Sequence, residues 1–178
     1  MAVGSKRAHD RDPLAPIVND HLGLSYSLAG FDDQALRQLQ QAIEIDPAFF
    51  LAHYRIGWVH LRKEDPDSAI PPLERAVELS EGKYALGMLG YAYGWAGRTK
   101  EAIKAGARLQ EEAAARYVSP LEMALVRAGL GDADGAFPLL ERAVEDRVSD
   151  LVLFYSYPWR AAIRNDPRFP NIAREVGL

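Results

Sequence analysis

The sequence repeats itself with a period of about 34 residues, and this period restricts the fold more than any other feature. Three parallel series of residues recur, and their members are small except at Leu109. The series are Gly23, Gly57, Gly90 and Ala124; Ala35, Ala69, Ala102 and Ala136; and Ala42, Ala76, Leu109 and Ala143. Each series advances by steps of 34, 33 and 34 residues, so together they mark one repeating unit.

A unit of this length accommodates two helices of about four turns each, joined by two short turns. Small residues recur where two helices approach so closely that a larger side chain would force them apart. Gly30, Gly97 and Gly131 come seven residues after the small residue of the first series. The first helix of the unit should end there in a left-handed conformation. The second unit has Glu64 at this point, followed by Asp65-Pro66 as an alternative stop signal.

This pattern resembles the tetratricopeptide-repeat family over roughly residues 16–150. The resemblance implies an all-α fold, namely a right-handed α-α superhelix of about four helical hairpins that ends in a C-terminal helical cap. The units are expected at 16–49, 50–82, 83–116 and 117–150.

Several positions depart from the family pattern. Gly106 and Leu109 stand where leucine or phenylalanine and alanine are usual, and Arg127 stands in place of a tyrosine. Pro71-Pro72 and Pro138 fall early in the second helices of units two and four. Because proline is tolerated only in the first turn of a helix, we expect those helices to start late or to bend.

The two ends of the chain lie outside the repeats. Residues 1–15 mix small, charged and proline residues without a helical period, so we expect disorder. Residues 151–178 are too apolar to stand in water, and they predict short capping helices interrupted at Pro158 and Pro167. The end of the chain is also similar to the C-terminal repeat region of bacterial multidomain regulators, where such an array follows a winged-helix, TolB-type, cyclase or Ser/Thr-kinase module. The similarity lies in Tyr117-Val118-Ser119-Pro120, in residues 128–132 and in residues 166–169.

Composition excludes several classes of function. The chain has no cysteine, so disulfides, thiolate catalysis and Cys-type metal sites are excluded. Its net charge of −4 argues against binding to nucleic acid. No apolar run approaches the roughly 18 residues of a membrane span, and the N-terminus lacks a secretory pattern. We therefore expect a cytoplasmic protein without nucleic-acid or membrane partners.

Catalytic and metal-binding patterns are also absent from the sequence. His53 and His60 could share a helix face, but no carboxylate lies at a suitable helical offset to complete a metal site. The glycines between Gly87 and Gly94 fall inside a predicted helix without a preceding strand, unlike a phosphate-binding loop. No nucleophile, base and orienting group can be assembled. We predict no enzyme activity, no cofactor and no metal.

The resemblance also implies where a partner would bind, because in this family the first helix of each unit lines an inner groove. The implied groove is aromatic at its centre and has arginines close by. Its residues are Tyr54, Arg55, Trp58, Arg62, Tyr84, Tyr91, Trp95, Leu121 and Leu125. Tyrosine, tryptophan and arginine are the residues that most often anchor interfaces. The alternative is that some of these rings pack between units or against the C-terminal cap.

The sequence therefore predicts an adaptor that binds a peptide or protein segment in this groove. The family's clamp for a C-terminal carboxylate requires lysine and asparagine at the groove positions, and these are missing. A second hypothesis is a regulatory or dimerisation fragment of a larger bacterial signalling or transcription regulator, so a homodimer is left open. An enzyme or a small-molecule binder is the third hypothesis.

Overall fold

The computed structural model describes residues 15–82 and 84–177. The predictions for residues 1–14, nearly all of the expected disordered tail, lie outside the described residues. In the described ranges the regular structure is entirely helical and contains no strand, which confirms the predicted all-α class. The chain divides into two compact units. The N-terminal unit ends at Ala85, and the C-terminal unit begins at Leu86.

The N-terminal unit consists of two helical hairpins. Its helices are α1 (Pro16–Leu28), α2 (Asp32–Ile45), α3 (Phe50–Arg62) and α4 (Pro66–Leu79), and α1 pairs with α2 as α3 pairs with α4. The close approach predicted at the small residues is confirmed at Gly23, where an added Cβ would lie 2.7 Å from Cγ of Leu39. Leu39 is fully buried. Any side chain at Gly23 would therefore push α1 away from α2.

The turns between paired helices use the left-handed backbone conformation. Gly30 has a φ of +82°, as predicted, and Glu64 adopts a φ of +59° at the equivalent point of the second hairpin. Asp65 then caps α4, because its Oδ1 accepts a hydrogen bond of 3.1 Å from the Ser68 N–H. The sequence Glu64-Asp65-Pro66 thus ends one helix and begins the next, although it lacks a glycine.

The proline-containing helices were expected to start late or to bend, and they do not start late. Helix α4 begins at Pro66 and runs through Pro71 and Pro72 to Leu79. The two prolines leave the carbonyls of Asp67 and Ser68 without their helical N–H donors. Asp67 and Ser68 are both exposed, so water can solvate those carbonyls.

The C-terminal unit contains two further hairpins and a C-terminal segment. Its helices are α5 (Leu86–Trp95), α6 (Thr99–Ala113), α7 (Pro120–Gly129), α8 (Ala133–Glu145), a 3₁₀ helix (Ser149–Ser156), α9 (Ala161–Arg164) and α10 (Phe169–Glu175). The predicted left-handed glycines are confirmed at Gly97 and Gly131, with φ of +76° and +78°. Helix α8 begins five residues before Pro138, so the late start is wrong here too.

The C-terminal segment folds back onto α8 around an aromatic core. The Phe154 ring lies 4.7 Å from the Phe169 ring and 5.3 Å from the Trp159 ring, between centroids. Trp159 Nε1 donates a hydrogen bond of 2.7 Å to the Phe154 carbonyl. Arg168 joins this segment to α8, because its guanidinium lies 4.4 Å from the Phe137 ring centroid and 2.9 Å from Oδ1 of Asp134.

Candidate partner-binding surface

Three aromatic rings cluster in the N-terminal unit, at the start of α3 and just after α4. The Tyr84 ring lies edge-on to the Tyr54 ring at 5.1 Å and to the Phe50 ring at 5.4 Å, between centroids. All three side chains are half-buried. We call Phe50, Tyr54 and Tyr84 the aromatic cluster. Edge-to-face contacts of this kind fix ring positions and leave part of each ring exposed.

The segment that presents Tyr84 is fixed by local hydrogen bonds. Helix α4 ends at Leu79, and Gly82 turns the chain with a φ of +76°. The Ser80 hydroxyl donates to the carbonyl of Tyr84 at 3.1 Å. The turn therefore brings Tyr84 back toward the first turn of α3, where Phe50 and Tyr54 lie.

Arg55 was predicted to face a partner, but its guanidinium binds another residue of the N-terminal unit. Its Nη1 lies 2.8 Å from Oδ2 of Asp20 and donates a hydrogen bond of 3.0 Å to the Asp20 carbonyl. The Asp20 side chain is fully buried, and burial raises the pKa of its carboxyl to about 6, although the Arg55 charge opposes that shift. Burial, and secondarily the Arg55 charge, lowers the pKa of neighbouring His21. This ion pair fastens α1 to α3.

Arg62 is engaged in the same way at the other end of α3. Its Nε donates to Oδ1 of Asp32 at 3.3 Å, and the same oxygen accepts from the Ser27 hydroxyl at 3.3 Å. Its side chain is 23% exposed. An acidic partner could reach Arg62 only by sharing it with Asp32. The fourth predicted residue of α3, Trp58, is buried, with an exposed fraction of 4%.

In the C-terminal unit, Tyr91 holds the C-terminal segment instead of facing an open groove. Tyr91 is fully buried, and its hydroxyl donates to the Pro158 carbonyl at 2.5 Å. The same hydroxyl accepts from the Arg160 N–H at 3.0 Å. Burial raises the pKa of this phenol well above its usual value. The ring also packs edge-on against Trp159, at 6.4 Å between centroids.

Of the other three predicted residues of this unit, Trp95 lies beside the same contact and two leucines are buried. Trp95 is half-buried, with its ring 5.7 Å from that of Tyr91 and 5.9 Å from the Arg160 guanidinium carbon. Leu121 and Leu125 of α7 are buried. Within this unit, the aromatic residues thus pack against the C-terminal segment, as the alternative drawn from the sequence proposed.

Two further contacts between helices were not predicted from the sequence. The pairing of Asp20 with Arg55 joins positions 35 residues apart, one repeat length plus one, so the repeat itself could have suggested it. The second is Glu122, whose Oε2 accepts from the Gly87 N–H at 2.6 Å in the first turn of α5. Burial raises the pKa of the Glu122 carboxyl. No sequence signal identifies that contact.

The described residues offer little for metal chemistry. Over 15–82 and 84–177, no group of three or more His, Asp or Glu side chains could hold a metal ion. His53 and His60 each have a nearby oxygen: Nε2 of His53 lies 3.0 Å from the Pro47 carbonyl, and Nδ1 of His60 lies 3.8 Å from Oδ2 of Asp65. Among the described helices, none is both long and apolar enough to cross a membrane.

Comparison with protein families identifies one of the repeats. The model of the tetratricopeptide repeat matches residues 51–83, the stretch that contains α4 and all but the first residue of α3. This match supports the tetratricopeptide-repeat family and, in general terms, a scaffold for protein–protein interaction. Repeats of this family are typically non-catalytic interaction modules. The matched residues belong to the hairpin of α3 and α4, and α3 carries Phe50, Tyr54 and Arg62.

Proposed function

We propose that this protein is an adaptor whose N-terminal unit binds a peptide or protein segment at the aromatic cluster. The observation that supports this function is the edge-on grouping of the Phe50, Tyr54 and Tyr84 rings, each half-buried and held by defined backbone. Rings fixed in this way lose little conformational entropy when a ligand covers their remaining surface. They also supply the large apolar area on which interface hot spots depend.

Several residues of the predicted groove are buried or paired within the chain. Tyr91, Leu121, Leu125 and Trp58 are buried, and Arg55 is paired with Asp20. Tyr54, Tyr84 and Arg62 are predicted residues of the N-terminal unit that keep part of their side chains exposed. Phe50, which was not predicted, packs against Tyr84 and completes the aromatic cluster. An apolar anchor residue of the partner would lie on the rings, and an acidic residue of the partner would lie toward Arg62.

The test is affinity purification from lysate of the source cells, with the wild-type chain and the Tyr54→Ala/Tyr84→Ala variant as parallel baits. The protein retained by the wild type is then made recombinantly and titrated calorimetrically. We expect the variant to weaken binding by about 2 kcal/mol or more, roughly thirtyfold. Far-UV circular dichroism should show unchanged helicity.

Tyr155→Ala is the matched control, because Tyr155 is an exposed tyrosine of the C-terminal segment. Retention of the same proteins by all three baits would refute the proposed surface. If the baits retain only further copies of the chain, the regulatory or dimerisation hypothesis is favoured, and sedimentation should then show a concentration-dependent dimer.

A further inference from the structure

Arg160 is an arginine that the C-terminal unit holds in place by contacts with neutral groups. Its backbone N–H donates to the Tyr91 hydroxyl at 3.0 Å, and its Nη1 donates at 2.8 Å to the carbonyl of Gly129, the last residue of α7. The guanidinium carbon lies 5.9 Å from the Trp95 ring centroid. A helix end and an indole ring attract a cation, but they supply only partial negative charge. These contacts therefore fix the guanidinium without balancing its charge.

The guanidinium of Arg160 keeps one edge open. Because Nη1 is bound to Gly129, the edge formed by Nε and Nη2 is left, and in the described part of the chain no residue accepts a hydrogen bond from it or forms an ion pair with it. Arg160 is half-buried, so part of it reaches solvent. Arg168 shows what such an edge binds, because its Nε and Nη2 donate to the two oxygens of Asp166 at 2.9 and 2.8 Å. A carboxylate therefore matches the open edge of Arg160.

Arg164 places a second positive charge one helical turn after Arg160. Its N–H donates to the Arg160 carbonyl at 2.9 Å. Arg164 is exposed, and over residues 15–82 and 84–177 it has no ion pair. Burial raises the pKa of the Tyr91 phenol, whereas the hydrogen bond from the Arg160 N–H and then the charges of Arg160 and Arg164 oppose that rise. Both arginines thus act on the same place, where like charges one turn apart repel each other unless an anion lies near both.

We infer that Arg160 and Arg164 bind a carboxylate of a protein partner, the side chain of an aspartate or glutamate in an acidic segment. The carboxylate accepts from Nε and Nη2 of Arg160, and Arg164 supplies the second charge. An apolar group next to that carboxylate covers the half-buried Trp95 ring. Charge complementarity supports an acidic partner. Because Arg160 is already fixed, it loses little conformational entropy on binding. The inference does not rest on the aromatic cluster, which belongs to the other unit.

The experiment selects random displayed peptides on the wild-type chain and discards those that also bind the Arg160→Gln/Arg164→Gln variant. Alanine replacement along each remaining peptide should identify an essential Asp or Glu. Synthetic copies with an amidated C-terminus should bind at least about tenfold more weakly to Arg160→Gln and several-fold more weakly to Arg164→Gln. Arg160→Lys keeps the charge but lacks the two-donor edge, so it should restore only part of the affinity.

Two controls keep the test decisive. Arg174→Gln is the matched variant, because Arg174 is an exposed arginine of α10 in the same C-terminal segment, and it should leave the affinity unchanged. Arg164→Gln changes an exposed side chain, so it decides the question even if Arg160→Gln fails to fold. Fluorine NMR of the fluorotryptophan-labelled chain, assigned with Trp95→Phe, should show the Trp95 signal shifting on titration.

Several outcomes would overturn the inference. They are recovery of no peptide after the subtraction, equal binding to the wild type and both single glutamine variants, equal weakening by Arg174→Gln, and an unmoved Trp95 signal. Tighter binding of the same peptide with phosphoserine in place of its acidic residue would overturn the carboxylate in favour of a phosphate.

Discussion

The buried ion pair between Asp20 and Arg55 makes the stability of the N-terminal unit depend on pH in an unusual direction. The Asp20 carboxyl has a pKa of about 6 in the folded chain, against 3.8 for an ordinary aspartate. Burial causes this shift, and the Arg55 charge offsets it only in part. The folded state therefore holds the Asp20 proton more tightly than the unfolded state. Arg55 is the charged neighbour that contributes to this shift.

The sign follows from this difference in proton binding. Stability contributed by Asp20 is fully present below about pH 4 and is lost as the pH rises through about 6. Two pKa units at about 1.4 kcal/mol each give a loss of about 3 kcal/mol from this group between those limits. Replacing Asp20 with asparagine removes the titration. Because the unfolded Asp20 is already partly ionised at pH 4, we expect the free energy of unfolding of Asp20→Asn, minus that of the wild type, to rise by about 2 kcal/mol from pH 4 to pH 7.

The assay is urea denaturation followed by far-UV circular dichroism at several pH values. Taking the difference between variant and wild type cancels most other titrating groups, and it also cancels any constant cost of leaving Arg55 beside an amide. Asp33→Asn is the matched control, because Asp33 is exposed and its pKa is lowered by its hydrogen bond with Lys63. Its difference should have the opposite sign and a small size. A flat Asp20→Asn difference across the pH range would refute the reasoning.

Three further changes have expected outcomes that equilibrium denaturation can measure. Tyr91→Phe should destabilise the C-terminal unit by about 1 to 2 kcal/mol, because the Arg160 N–H loses its buried acceptor; an unchanged stability would contradict the anchoring role of Tyr91. Glu64→Gly should stabilise the N-terminal unit by about 1 kcal/mol by relieving the left-handed backbone at φ +59°, and a loss of stability would contradict this. Gly106→Ala should also stabilise by about 1 kcal/mol through helix propensity, since an added Cβ would meet only Val126 Cγ1 at 3.4 Å; destabilisation would show that the space is smaller than described.

The repeat period made the helices and their tight contacts predictable, because period and residue size act locally. Gly23 had to be small to pack against Leu39, and Gly30 had to reach a left-handed φ. The late helix start that the prolines suggested does not occur. The missing N–H of Pro71 leaves a carbonyl on an exposed turn, where water replaces the lost hydrogen bond at little cost.

The binding surface was less predictable than the helices. The register of a repeat specifies on which face of a helix a side chain lies, but it does not specify which other segments of the chain cover that face. Tyr91 occupies a groove position in the repeat, yet Pro158 and Arg160 return 67 and 69 residues later to bury its hydroxyl. Arg55 was predicted to contact a partner, but it forms an ion pair with Asp20 of the preceding repeat. Phe50 was omitted because the family's groove positions do not include it.

Departures from the chain's own repeat are therefore the most informative positions for function. The repeat keeps a large apolar residue at Leu39, Leu73 and Leu140, and there the space between helices is filled. A smaller residue at these positions would lower the stability of the fold. At Gly106 that residue is missing, yet Val126 of the next helix occupies the adjoining space, where its Cγ2 would lie 2.7 Å from a Cβ on Gly90. The core around Gly90 is thus packed by a residue of the next helix, while a cavity of about 490 Å³ lined by Gly106 stays open beside it. Simple loss of a side chain would leave a void around Gly90 as well. The third repeat therefore fills its core with a different residue from the leucine that fills it in the other repeats.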